Sequence, residues 1–91
     1  MAEQWLIDSS KIIERARNLS DEEKRVFKYF LENISVGDLR AIMELEKKGI
    51  KDPRGVIENL ILMGLIERGN YCYNLPYPLR IYISKQGIPE I

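Results

Sequence analysis

Apolar side chains recur along this chain with two periods: a helical spacing between Leu19 and Met63, and an alternation like that of strands beyond Gly64. Ser20-Asp-Glu-Glu23 has the form of a capping box. In it the serine oxygen accepts the Glu23 amide hydrogen while the glutamate reaches back, so a helix is predicted from Asp21. Val26, Phe27, Phe30 and Leu31 give that helix one apolar stripe, which ends near Asn33. Ile34-Ser-Val36 is a brief β-branched stretch suited to a one-bridge strand. Ser35 or Gly37 then opens a second helix, with Leu39, Ile42 and Met43 expected inside, Arg40, Glu44, Lys47 and Lys48 outside, and Gly49 at its end. Asp52-Pro53 starts a third helix, with Asp52 as the cap and Pro53 where a missing N–H is no loss. Its inner face is Val56, Ile57, Leu60 and Ile61, and Gly64 ends it.

Leu65 to Arg68 and Tyr71 to Leu75, joined at Gly69-Asn70, read as a β-hairpin. Pro76 and Pro78 close its second strand, because proline donates nothing to a ladder. Leu79 to Lys85 alternates apolar and polar side chains and is expected as a further strand, before a tail with Gly87 and Pro89. Trp5, Leu6 and Ile7 show no clear period, so residues 1–8 are expected to be an extended arm. A short helix follows from Lys11 to about Asn18, capped by Ser9 or Ser10, with Ile12, Ile13 and Ala16 one turn apart. The expected organisation is one α+β domain, mostly helical: arm and short helix over 1–18, core over 19–75, C-terminal strand and tail over 76–91.

Ninety-one residues leave little room for a second core. A chain 45% hydrophobic and 31% charged has the balance of a folded protein rather than a disordered one. The run from Leu60, broken by Gly64, is far short of the roughly 20 apolar residues that span a bilayer. The N-terminal residues lack the pattern of a secretory signal, and the single cysteine, Cys72, suits a reducing compartment, so a cytoplasmic location is expected. With no histidine and one cysteine, neither a Cys/His zinc site nor a histidine-based dyad can be assembled. Asp21-Glu22-Glu23 is explained by capping and the helix dipole, and no glycine motif cradles a phosphate. Hence no catalytic residues, metal, cofactor or small-molecule substrate are expected, and function is expected to lie in binding.

The order helix, short strand, helix, turn, helix, hairpin resembles the winged helix-turn-helix family over about Leu19 to Leu75. The residues that carry the resemblance most specifically are Leu60, Gly64, Leu65, Ile66, Glu67 and Arg68, where the third helix ends in a leucine, three residues, Gly-Leu-Ile and a polar pair. The resemblance implies a third helix placed in a DNA major groove and a hairpin wing against the backbone. It also implies that the outward face of that helix is Arg54, Gly55, Glu58, Asn59 and Leu62. Arg54 could then pair with guanine and Asn59 with adenine, while Glu58 would repel phosphate and Leu62 offer only apolar contact.

Fourteen basic residues balance fourteen acidic ones, so any duplex binding must come from a local patch. The candidate nucleic-acid-binding residues are Arg40, Lys47, Lys48, Lys51, Arg54, Asn59 and Arg68. The other class of partner is a protein, since winged helices also dock onto larger assemblies. Four tyrosines, Tyr71, Tyr73, Tyr77 and Tyr82, fall within twelve residues. Strand alternation puts Tyr71 and Tyr73 on one face, which could be core, partner surface or a stacking platform. An uncovered strand at Ile81 to Ile83 would invite pairing with a second copy. The candidate protein-interface residues are therefore Leu62, Met63, Tyr71, Tyr73, Tyr77, Ile81, Tyr82 and Ile83. Two functions remain open: a small DNA-binding transcription regulator, and a protein-docking accessory subunit of a replication or transcription complex.

Overall fold

The computed structural model describes residues 3–91. Five helices and three short strands follow in the order α1 (Gln4–Arg17), α2 (Asp21–Asn33), β1 (Ser35–Gly37), α3 (Asp38–Lys47), α4 (Pro53–Leu62), β2 (Glu67–Arg68), β3 (Cys72–Asn74) and α5 (Tyr77–Gln86). The sheet is antiparallel in the order β1-β3-β2, with Val36 opposite Tyr73 and Glu67 opposite Asn74. The fold is α+β, and α2 to β3 have a winged-helix-like arrangement.

Local chemistry sets most boundaries. The capping box forms in full: Ser20 Oγ accepts from the Glu23 amide at 3.2 Å, and Glu23 Oε1 accepts from the Ser20 amide at 3.0 Å. Asp52 accepts from the Gly55 amide at 3.1 Å and so caps α4 as its sequence implies. Helices α3 and α4 end in the same paired motif. Ile50 donates to Leu45 and Gly49 to Glu46, as Leu65 donates to Leu60 and Gly64 to Ile61. Gly64 has a φ of 78°, the left-handed conformation that turns the chain out of α4 toward β2. Gly69 is required by a close approach instead: a Cβ there would lie 2.7 Å from Cys72 Sγ.

The core gathers Val26, Phe27, Phe30 and Leu31 of α2, Leu45, Ile57, Leu60, Leu65, Ile66 and Tyr73, all essentially buried. Phe30 meets the Tyr73 ring edge-on at 5.9 Å and 82°, which fixes the sheet against α2. Ile34 joins α2 to β1 with a φ of 65°, a strained conformation for a β-branched residue. It is held from both sides, donating to Phe30 at 2.8 Å and accepting from Leu75 at 2.9 Å.

Two expectations are corrected at the chain ends. The described part of the extended arm, from Gln4 on, is the first half of α1. Ser9 and Ser10 lie inside that helix rather than capping it. Ser9 is buried in line with Ile13 and Ala16, its hydroxyl donating to the Leu6 carbonyl at 3.1 Å, so a polar residue occupies one core-facing turn and hides the period. Met1 and Ala2 of the expected arm lie outside the described residues. The second correction is the C-terminal strand, which is helix α5. Leu79, Tyr82 and Ile83 follow the spacing i, i+3, i+4 and turn toward the core. Pro76 and Pro78 begin this helix, where a missing N–H is tolerated. Helix α5 packs against α1, and Lys85 lies 5.9 Å over the Trp5 ring. With no strand at Ile81 to Ile83, the proposed edge for pairing with a second copy is absent there.

The Tyr73 hydroxyl is buried without a hydrogen bond of ordinary geometry, and its polar neighbour is the Arg68 guanidinium, 5.9 Å above the ring centroid. An orphaned buried hydroxyl costs about 1–3 kcal/mol. Tyr73→Phe is therefore expected to unfold at equal or higher denaturant concentration, with a gain of up to about 1 kcal/mol. Gly64→Ala is expected to lose about 1 kcal/mol in the same assay, because a Cβ is strained at that φ.

Candidate docking surface

Helix α3 has two apolar stripes, and the one buried is not the one expected. Ala41 and Leu45 face the core with Ile42 half-buried, whereas Leu39 is 67% and Met43 57% exposed. The expectation of Leu39 and Met43 as inner residues is thus corrected. Gly37 caps the helix at a φ of −59° directly out of β1, and this entry sets the phase that turns Ala41 and Leu45 inward. Leu39 and Met43 stand one turn apart on the solvent side.

Tyr71 joins them at the N-terminal end of α3, where its backbone carbonyl accepts from the Asp38 amide at 3.0 Å. Its φ of 57° breaks the strand alternation just before β3 begins. Tyr71 is consequently 87% exposed while Tyr73, expected on the same face, is in the core. That removes Tyr73 from the candidate interface residues. Leu39 and Met43 form an exposed apolar pair, and Tyr71 is exposed on the segment that meets the first residue of α3; aromatic side chains and Met of this kind are enriched at protein interfaces.

The other interface candidates are dispersed. Leu62, 85% exposed, ends α4 on the same edge as Glu58, whereas Met63 is half-buried and packs on the core. Tyr77, at the start of α5, is exposed under the Arg80 guanidinium at 5.6 Å. Ile81, Tyr82 and Ile83 are half-buried on α5, the last two against the core.

The candidate nucleic-acid residues divide in two. Arg40 pairs with Glu44 at 3.1 Å, Arg68 with Glu58, and Asn59 donates to Glu23 at 2.8 Å. On the outward face of α4, Asn59 and Glu58 are thereby engaged, whereas Arg54 is not. Ser20, Glu22, Glu23, Asp52, Gly55, Val56 and Asn59 line an open cleft along this helix, in which Glu22, Glu23 and Asp52 oppose phosphate. Lys47, Lys48, Lys51 and Arg54 are exposed and make no ion pair among the described residues. Sequence reasoning missed Leu39 and Met43 because it assigned the larger side chains of α3 to the core. The one available signal was that Ala41 and Leu45 also lie one turn apart.

No helix among the described residues is long and apolar enough to cross a membrane. Among the same residues, no cluster of three or more His, Cys, Asp or Glu could hold a metal ion.

A sequence profile for PolB1 Binding Protein 2 matches residues 20–81, more than half of the chain. The chain belongs to the PolB1 Binding Protein 2 family. The matched span runs from the capping serine of α2 into α5, and it includes Leu39, Met43, Leu62, Tyr71 and Tyr77. No curated protein matches the chain in sequence.

Two carboxylates on this scaffold sit below their ordinary value of 4.5. Glu44 is lowered by the hydrogen bond from Tyr29 first and by Arg40 second. Glu23 is lowered chiefly by the Ser20 backbone amide, with Asn59 assisting. A depressed folded value adds stability that is complete above the unfolded value and is lost as pH falls through the folded one. Thermal unfolding followed against pH is thus expected to show falling stability below about pH 4.5, with a flatter acid limb in Glu44→Gln.

Proposed function

We propose that this protein is an accessory subunit that docks onto the DNA polymerase PolB1, using the face formed by Leu39, Met43 and Tyr71. Membership of a family described as PolB1 binding carries the reading. The surface chemistry agrees with it. The face offers uncovered apolar side chains, whereas Asn59 and Arg68, which a groove-reading winged helix would turn to DNA, are engaged by Glu23 and Glu58. In this reading the winged-helix architecture serves as a docking scaffold, and the third helix of the motif, α4, does not enter a major groove. A transcription regulator built on that helix is correspondingly the weaker reading.

A buried charge or a lost central anchor at an interface costs about 2 kcal/mol or more, and 1.4 kcal/mol is a tenfold change in affinity. The purified chain is expected to co-elute with PolB1 in size-exclusion chromatography. Leu39→Asp combined with Met43→Asp is expected to weaken the complex at least tenfold by titration, and Tyr71→Ala to weaken it measurably. Variants that keep the parent's melting temperature and bind PolB1 as tightly as the parent would overturn this assignment of the face. Self-association of the parent in place of a polymerase complex would redirect it to a homodimer.

A further inference from the structure

The fold brings together cations that the sequence keeps apart. Arg25 and Lys28 lie one turn apart on the outer face of α2, and Lys47 and Lys48 end α3. The Arg25 guanidinium donates to the Lys48 carbonyl, which docks these two helix edges together. Two shallow, open grooves run along the junction and share Tyr29, Glu32 and Lys48. One is edged by Arg25 and Lys28, the other by Lys47. All four cations are exposed, and none forms an ion pair among the described residues. Glu44, the second acid of the grooves, is already engaged by Arg40 and the Tyr29 hydroxyl, leaving Glu32 as the one acid there without such a partner. A chain of zero net charge thus has a locally cationic face, while Glu22, Glu23 and Asp52 line the flank of α4.

We infer that this α2–α3 face contacts the phosphodiester backbone of the duplex on which the polymerase works. The inference rests on the docking reading above and concerns an adjoining surface: Lys47 stands one turn beyond Met43 on α3, while Arg25, Lys28 and Lys48 lie off that stripe. The two grooves themselves hold no exposed apolar anchor: their aromatic residue, Tyr29, is buried with its hydroxyl tied to Glu44, and the exposed Ile88 lies with Glu90 in an adjoining groove that shares only Lys28 and Glu32 with them. Flexible lysine stems over an open groove suit a regular row of phosphates, whose contacts carry no sequence information. Contact through α2 and the end of α3 also leaves the acidic flank of α4 unused. This is a different geometry from groove reading by a winged helix.

The test is the affinity of the PolB1 complex for a labelled primer–template duplex over a salt series, with the native chain and with Lys28→Glu, Lys47→Glu and Lys48→Glu combined. Each phosphate contact contributes about 0.9 to the slope of log affinity against log salt. The triple variant is expected to co-elute with PolB1, yet to bind the duplex with a slope shallower by roughly 2 to 3. The corresponding triple Lys→Gln variant, with thermal unfolding followed in parallel, separates charge from misfolding and should give a similar loss. An unchanged slope in a folded variant overturns the inference. So does a folded triple variant that no longer binds PolB1, since the face would then belong to the polymerase interface. If the native chain fails to bind PolB1, the docking reading falls by itself, and the same slope difference measured on the free chain decides the phosphate contact.

Discussion

The edge-on contact between Phe30 and Tyr73 is the constraint on which the arrangement depends. Strand β3 is the middle strand of the sheet, so whatever holds Tyr73 also positions β1 and β2. Phe30 holds it from α2, with Val36 directly across the ladder. The strands are two or three residues long, too short for their ladder alone to be stable, and they persist because one face is sealed by aromatic burial. The strained Ile34 belongs to the same constraint. A chain leaving α2 beneath Phe30 must reverse within one residue to pair with β3, and hydrogen bonds to Phe30 and Leu75 hold that reversal in place.

From this centre the two ends of the sheet acquire different chemistry. Pairing of Gly37 with Cys72 brings the Tyr71 backbone to the start of α3, where its carbonyl accepts from Asp38, the residue before Leu39. On the other side, β2 delivers Arg68 over the Tyr73 ring to Glu58 of α4. The same register therefore sets Tyr71 beside the first turn of α3 and ties Arg68 to Glu58. The paired acids occupy two of the polar groups that a recognition helix and its wing would turn to DNA, Asn59 being held by Glu23 and Arg68 by Glu58. Engaging a phosphate with Arg68 would require breaking its contact with Glu58 and leaving that carboxylate beside DNA.

What was legible in the sequence is what local chemistry decides. The capping box at Ser20, the Asp52-Pro53 start, the reversals at Gly49 and Gly64 and the hairpin around Gly69 each involve groups within a few residues, and all appear where expected. What was not legible depends on distant partners. Ser9 reads as a cap until α1 is seen to need a small side chain facing the core. Leu79 to Lys85 reads as a strand because Ile81, Ile83 and their polar neighbours alternate, and it becomes a helix because α1 offers it a surface on which Leu79, Tyr82 and Ile83 can pack together. The site followed the same division. Tyr71 and Leu62 were identified as interface candidates and are exposed, whereas the phase of α3, set by its exit from β1, determined that Leu39 and Met43 face outward.

The neutrality of the chain argued against nucleic acid, yet net charge describes the field only at distances beyond its separate patches. At ordinary ionic strength that field decays over about 8–10 Å, less than the separation of opposite faces in a small domain. The grouping of charges therefore matters more than their sum. Here Arg40, Arg68 and Asn59 are tied to acids while Arg25, Lys28, Lys47 and Lys48 are not, and the second group lies together along one helix junction. An apolar face suits a stable complex, since its attraction survives salt, and an unpaired cationic face suits a substrate that must slide and be released. On one small scaffold these demands meet along α3, where Leu39 and Met43 run along the exposed side and Lys47, one turn beyond Met43, begins the cationic end that Lys48 continues toward α2.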